Sequence, residues 1–419
     1  MRRIALLIAV GLAAAPASAA ADDALVRKLA RQMRAAGAYS SAYVVNVSQG
    51  ETVFRWKHNT PRILASNTKL FTTAAALARY GSEGTLGTEV LGDSELAGDA
   101  VWRGDLYLRG GGDPTFGSRR FVTRNYGRGA TVEQLAALIE DTGIERVTGR
   151  VYGDESNFDS LRGGPESRYA ASIWVGPLSG LAFNRGLGDE AGRSFQLNPP
   201  QFAAAQLDGA LERRGVKVRL KPRAGVAPAN TEVLASVDSP PMGHLIKLTN
   251  KPSDNFFAEM LLKDLALQAR GRGTTAAGAK IAAGFARRLG AGARLVDGSG
   301  LSRGNRASPR QVVKLLSEML EVGQSEYSDD FVDSLPIAGQ DGTLADRMRR
   351  QPARWRCRGK TGTLSDVSAL SGLCEVSNGD TYVYSILMNG VYPTGARRLQ
   401  DNMLQAIAGQ GSEYRVGRR

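Results

Sequence analysis

The sequence predicts an α/β fold: an antiparallel sheet flanked by helices, with a β-rich α+β domain inserted into the chain. Three observations carry this. Strand-like runs lie near both ends of the 419 residues, with helical pattern filling much of the space between. A long glycine-rich stretch of short strands interrupts that pattern. About 400 residues also exceed what one hydrophobic core usually supports, which points to two domains.

In chain order, Met1-Arg2-Arg3 precedes an apolar run from Ile4 to Ala15 and then Pro16-Ala17-Ser18-Ala19, a small-residue cleavage site. Residues 1–19 read as a secretory signal peptide, since the run is too short for a membrane span. No later segment is apolar enough to cross a bilayer and the tail, 409–419, is polar, so a soluble exported protein is expected, periplasmic or otherwise extracytoplasmic. Residues 42–47 and 52–56 are strand-like, separated by the turn Ser48-Gln49-Gly50-Glu51. From Ser66 to Tyr80 the composition is helical and apolar nearly all round, which predicts a buried helix.

Glycine-rich texture then runs to about Ser239, with strands expected at 105–109 and 146–152. A helix opens at Thr131 with the capping box completed by Gln134, and another spans 200–214. We place the inserted domain at 83–239, leaving 20–82 and 240–419 as the main domain. Helical pattern resumes at 242–249, 255–269, 278–289 and 309–322. Three strands follow at 355–364, 368–377 and 381–389, the last two joined by Asn378-Gly379-Asp380. Gly110-Gly111-Gly112-Asp113-Pro114 lacks the Lys-Ser/Thr of a phosphate loop and is better read as a structural turn.

Composition narrows the chemistry. Lys+Arg 54 against Asp+Glu 41 gives a net charge of +13, which suits an anionic neighbour. The export signal argues against nucleic acid and for anionic cell-envelope polymers. With only 2 histidines (His58, His244) and 2 cysteines (Cys357, Cys374), there is little material for a metal centre or a Ser-His-Asp triad. A nucleophile here needs a base other than histidine. The cysteines of an exported chain suggest one disulfide. If strands 355–364 and 368–377 turn near Ser365-Asp366, Cys357 and Cys374 face each other across the hairpin.

Ser66-Asn67-Thr68-Lys69 sets a serine and a lysine one helical turn apart on the same face. Lysine serves as a base once burial or a second cation lowers its pKa, and the helix dipole favours negative charge on a serine at its start. Alone, the pattern also fits an ordinary helix start. Ser253-Asp254-Asn255 follows a turn and opens the helix at 255: Ser253 could pass a proton to a leaving amine and Asn255 could bond a peptide, or one of the three could simply cap the helix. Lys360-Thr361-Gly362-Thr363 lies on a predicted strand, where Gly362 would let a substrate backbone approach. Lys360 would supply the second cation, while Thr361 and Thr363 would hold a carboxylate.

The three elements in this order match the S-x-x-K, S-D-N and K-T-G set of class A β-lactamases and penicillin-binding proteins. The long gap between Ser66 and Ser253 resembles the low-molecular-mass class C penicillin-binding proteins, the D-alanyl-D-alanine carboxypeptidase/endopeptidase family. Gly110 to Pro114, Gly153-Asp154-Glu155-Ser156, Pro177-Leu178-Ser179 and Asp297-Gly298-Ser299-Gly300-Leu301-Ser302-Arg303 are similar to that family too. The resemblance implies a penicillin-binding, serine β-lactamase-like transpeptidase domain and a serine DD-peptidase without cofactor. Peptidoglycan stem peptides would be its substrates and β-lactam antibiotics its acylating inhibitors. It implies Ser66 as nucleophile, Lys69 as base, Ser253, Asn255 and Lys360 as catalytic partners, and Thr361 and Thr363 as carboxylate ligands. It further implies Asp154 and Arg303 as receptors of the stem-peptide side chain. The insertion is short for the nested third domain common in the family. A β-lactamase would carry a shorter insertion and a deacylating glutamate motif, an esterase would not need the two threonines, and a non-catalytic binding module should have lost a motif residue.

Overall fold

The computed structural model describes residues 17–189, 191–321 and 328–410. Most of the expected signal peptide, and residues 411–419 of the tail, lie outside them. Along the chain run α1 (Ala17–Ala35), β1 (Ser40–Asn46), β2 (Glu51–Trp56), β3 (Arg62–Ile63), a 3-10 turn (Ala65–Asn67) and α2 (Thr68–Tyr80). The glycine-rich stretch holds β4 (Gly87–Gly92), β5 (Val101–Trp102), β6 (Leu106–Gly110), α3 (Arg119–Tyr126), α4 (Val132–Asp141) and β7 (Arg146–Val147). β8 (Val151–Asp154), α5 (Pro199–Arg213), β9 (Lys217–Val218), β10 (Arg223–Ala224) and β11 (Glu232–Asp238) complete it. Then come α6 (Met242–Asn250), α7 (Asn255–Arg270), α8 (Thr275–Arg288), β12 (Arg306–Ala307), α9 (Pro309–Glu321) and α10 (Ser328–Asp333). The chain closes with β13 (Cys357–Leu364), β14 (Val367–Glu375), β15 (Thr381–Asn389) and α11 (Pro393–Ala408).

The main sheet has the order β13-β14-β15-β1-β2 and is antiparallel throughout, so the hairpin near the start of the chain is completed by the three strands near its end. Helices cover both faces, which is why its central strands read as almost unbroken apolar runs. On β1, Ala42 and Val44 face α1 and α11 while Tyr43 and Val45 face the opposite helical layer; on β15, Tyr384 and Ile386 take the first side and Val383 and Leu387 the second. α1 presents Leu25, Leu29 and Met33 at one-turn spacing to the same layer as Met403, Leu404 and Ile407 of α11. On the other face α2 is enclosed by α6, α7 and α8, and every residue from Thr68 to Leu77 is buried.

The inserted stretch builds a second, mixed sheet of order β10-β8-β6-β4-β11, covered by α4 and α5 through Leu135, Ile139, Leu207 and Leu211. The box expected at Thr131 and Gln134 forms. The single strand expected at 146–152 breaks into β7 and β8, which belong to different sheets. Gly149 allows the kink: a Cβ there would meet Asp105 Oδ1 at 2.2 Å and the Gly104 carbonyl at 2.4 Å, while Asp105 Oδ1 accepts from the Arg150 N–H at 2.7 Å. Gly110 ends β6, and the chain leaves the strand through Gly112 at φ +87° to a turn at Pro114. Phe158, Val175, Leu178 and Ala182 leave the second sheet and pack into the helical core of the main domain, and this segment walls the site.

Candidate active site

The site lies where the start of α2, the loop before α7 and the edge strand β13 meet. Burial fixes the first of these. α2 cannot move without opening the helical core, and Ala65 just before Ser66 is fully buried with φ +45°, a left-handed conformation that costs a non-glycine residue energy. Gly300 packs on this strained turn, where a Cβ would lie 1.9 Å from the Ala65 carbonyl. Ser66 sits in the 3-10 turn, two residues ahead of α2, and so faces open space with the helix start behind it.

Lys69 is fully buried and donates to Ser66 Oγ at 3.0 Å, to Asn255 Oδ1 at 2.7 Å and to the Ser299 carbonyl at 2.7 Å. Asn255 is oriented by its own Nδ2, which donates to the Trp174 carbonyl at 3.0 Å. Burial lowers the Lys69 pKa to about 8, against the opposing pull of Asp254, Asp297 and Glu259. A neutral amine has two hydrogens and one lone pair. Asn255 Oδ1 and the Ser299 carbonyl can only accept, so they take the hydrogens and the lone pair is left for the Ser66 hydroxyl, the one neighbour able to donate. The geometry therefore suits proton transfer from Ser66 to Lys69.

Beneath this, Glu259, one turn after Asn255 on α7, accepts from the N–H groups of Gly298 and Ser299 at 3.1 and 2.8 Å, which aims the Ser299 carbonyl at Lys69. Burial, then the charge of Asp297, raises the Glu259 pKa to about 8. Ser253 has φ +64° and lines the cleft. Of Ser253-Asp254-Asn255, it is Asp254 that caps α7, through Phe257 N–H at 3.0 Å, and pairs with Arg185 at 2.5 Å, while Ser253 and Asn255 line the cleft.

On β13, Lys360 is fully buried, with its pKa held well below the usual lysine range by burial and by Lys69; its Nζ donates to the Thr361 carbonyl at 3.1 Å. Gly362 lines the cleft and has a use besides the one expected. A Cβ there would meet the Leu64 carbonyl at 2.9 Å and Ser66 N at 3.0 Å, so the missing side chain lets β13 close onto the nucleophile turn itself. Thr361 and Thr363 line a cleft of about 1070 Å³ together with Ser66, Ser253, Asn255, Glu166, Trp174, Thr343 and Arg397. The Cys357–Cys374 disulfide forms, closing the register pair at the far end of β13 and β14.

Asp154 is not brought to this cleft. It is buried at the end of β8, accepting from Ser156 N–H at 2.8 Å and Ala227 N–H at 3.0 Å, so its position as a ligand for substrate is corrected to that of a loop anchor. Arg303 stands beyond the rim, bound to Asp366 at 2.5 Å and Ser365 at 2.9 Å across the β13–β14 turn. The carboxylates that line the cleft are instead Glu166 and Asp346, in segments whose sequence carries no motif. Both histidines lie elsewhere: His58 stacks on Tyr43 and His244 contacts the Tyr126 carbonyl.

The profile of the D-Ala-D-Ala carboxypeptidase 3 (S13) family matches residues 23–194 and 184–410. The chain belongs to that family. S13 membership makes it a serine peptidase. Among relatives, a D-alanyl-D-alanine carboxypeptidase from an Actinomadura species is 30% identical over 99% of this chain and 91% of its own length. Carboxypeptidase DacB of Mycolicibacterium smegmatis is 30% identical over 84% and 76%. The fold matches penicillin binding protein 4 of Haemophilus influenzae, with a TM-score of 0.74, 20% identity and coverage of 93% and 98%. A predatory peptidoglycan endopeptidase of Bdellovibrio bacteriovorus matches at TM-score 0.56, 18% identity and coverage of 89% and 93%.

Proposed function

We propose that this S13 enzyme cleaves D-alanyl peptide bonds of peptidoglycan stem peptides through an acyl-enzyme on Ser66. The observation that carries the reading is the set of three Lys69 contacts, which leaves the amine one proton source, the Ser66 hydroxyl. Ser66 Oγ attacks the carbonyl of the penultimate D-alanine as Lys69 takes its proton. Ser253 passes a proton to the departing amine, Asn255 holds Lys69 in place, and water then resolves the ester. The oxyanion sits between the N–H groups of Ser66 and Thr363, each such donor contributing about 3–4 kcal/mol in acyl-transfer sites. The approach that Gly362 permits supports this pairing. Lys360, Thr361 and Thr363 receive the terminal carboxylate. A β-lactam offers an amide beside a carboxylate in the same sense and acylates the same serine.

Glu166, which lines the cleft, is better placed than Asp154 for an ammonium on the stem peptide, with Arg303 held at the β13–β14 turn. Peptidoglycan lies outside the cytoplasmic membrane, so the reading puts the enzyme there, with residues 1–19 as its export signal and a net charge of +13 suited to anionic wall polymers. No helix among the described residues is long and apolar enough to cross a membrane.

Fluorescent penicillin followed by peptide mapping tests the centre of this proposal. The label is expected on Ser66 and is expected to vanish in Ser66→Ala along with D-alanine release. Labelling that persists in a folded Ser66→Ala protein removes Ser66 from its role.

A further inference from the structure

Two arginines line the cleft, Arg347 and Arg397, and they differ in what they already hold. Arg347 pairs with Asp401 at 2.7 Å and Gln400 at 3.3 Å and is spent on α11. Arg397 is exposed and, among the described residues, its guanidinium has no acidic partner; its side chain donates from Nη2 to Thr363 Oγ1 at 3.2 Å, and its carbonyl accepts from Arg347 at 3.3 Å. Of the two acids that line the cleft, Asp346 lies toward Arg349 at 3.8 Å, and among the described residues no ion pair joins Glu166 to Arg397.

The position of Arg397 is built. Thr363 and Ser368 are register partners on β13 and β14 and so share a face of the sheet. Gln400 is fully buried and accepts from Ser368 Oγ at 3.1 Å. The same face of α11, one turn earlier, brings Arg397 over Thr363. This follows from helical spacing and strand register together, so the guanidinium is held at the mouth of the site by an element anchored in the core.

The hydrogen-bond chemistry points outward. A guanidinium only donates, so Thr363 Oγ1 accepts from Arg397 and keeps its own hydrogen for another acceptor. Thr361 Oγ1 and Thr343 Oγ1, 2.7 Å apart, share one hydrogen between them and leave the other hydroxyl hydrogen for a third acceptor. Three donors therefore border one cleft, and among the described residues no carboxylate is hydrogen-bonded to any of them. Lys360 beside them is fully buried, with its pKa held well below the usual lysine range by burial and by Lys69.

We propose that Arg397 is a specificity-determining residue that reads a free carboxylate on the carbon bearing the leaving amine. The inference rests on the DD-peptidase reading and deepens it. A departing amino acid with an ionised α-carboxylate is selected, whether it ends a stem peptide or belongs to a neighbouring strand, and one whose carboxyl is amidated is rejected. The discrimination is a charge-assisted, potentially bidentate contact of the kind for which lysine is a poor substitute.

The test compares an acylated peptide ending in D-Ala-D-Ala with the same peptide ending in D-Ala-D-alaninamide, using wild type, Arg397→Ala and Arg397→Lys. The readout is the acid-to-amide ratio of kcat/KM, which a general loss of folded enzyme leaves unchanged. The ratio is expected to fall about 10–100-fold in Arg397→Ala and by less in Arg397→Lys. A ratio that stays at the wild-type value in Arg397→Ala overturns the assignment. Turnover of neither substrate by wild type removes the DD-peptidase reading, and the proposal with it.

Discussion

At the residue scale, the two lysines of the site share a burial cost and divide its use. Lys69 needs to be neutral to act, and its pKa of about 8 places the change within reach of experiment. Below that value it carries a proton and cannot accept another; above it the lone pair is available. The rate of penicillin acylation is therefore expected to rise with pH between 6 and 9, with a midpoint near 8, and to be lost in Lys69→Ala by a factor of 10²–10⁴, roughly the scale of general base catalysis. A rate independent of pH across that range would assign the base elsewhere. Ser66, Lys69, Ser253, Asn255 and Lys360 were legible because each belongs to a short motif whose spacing has a local meaning. Glu166, Trp174, Thr343 and Arg397 were not, because they reach the cleft through loop packing and helix register that span much of the chain. Asp154 failed for a related reason: a conspicuous carboxylate beside a strand end served the backbone of Ser156 and Ala227.

At the scale of elements, β13 is an edge strand that carries Lys360, Thr361 and Thr363 and is held at one end by Gly362 against the nucleophile turn and at the other by Cys357–Cys374. Removing the crosslink by a double Cys→Ala substitution is expected to lower stability by about 2–3 kcal/mol and to slow acylation. Denaturation midpoints and penicillin labelling rates measure the two effects, and unchanged labelling would show that neighbouring strands alone hold β13. Element boundaries were legible wherever turn or capping signals acted locally: β15 begins just after Asn378-Gly379-Asp380, and α4 begins at its box. The split between β7 and β8 was not, since it depends on the approach of Gly104 and Asp105 from another part of the chain.

At the scale of the whole molecule, the junction between the inserted stretch and the main domain buries Asp113, from the turn after β6, near Asp264 of α7. Burial raises both pKa values to about 7, and in Asp264 the charge of Asp113 adds to the effect while the Tyr80 hydroxyl opposes it. In the unfolded chain both titrate near 4, so between about pH 4 and pH 7 the folded state keeps protons that the unfolded state releases, and stability falls as pH rises through that window. Asp264→Asn is expected to raise the melting temperature at pH 8, by about 1–3 kcal/mol of stability, and to give little gain at pH 4. A variant less stable than wild type at pH 8 would mean that the charge itself is needed there.

The order β13-β14-β15-β1-β2 has a consequence in time. A ribosome delivers the nucleophile at residue 66 long before Lys360, and β1 has no neighbour on its inner side until β15 arrives with Val383 opposite Val45 and Leu387 opposite Ser41. The sheet cannot close on a partly synthesised chain, and its early hairpin must wait, paired on one side only, for a partner more than 300 residues later. The peptidase site, which needs β13 beside the start of α2, is thus withheld until nearly the last helix has been made.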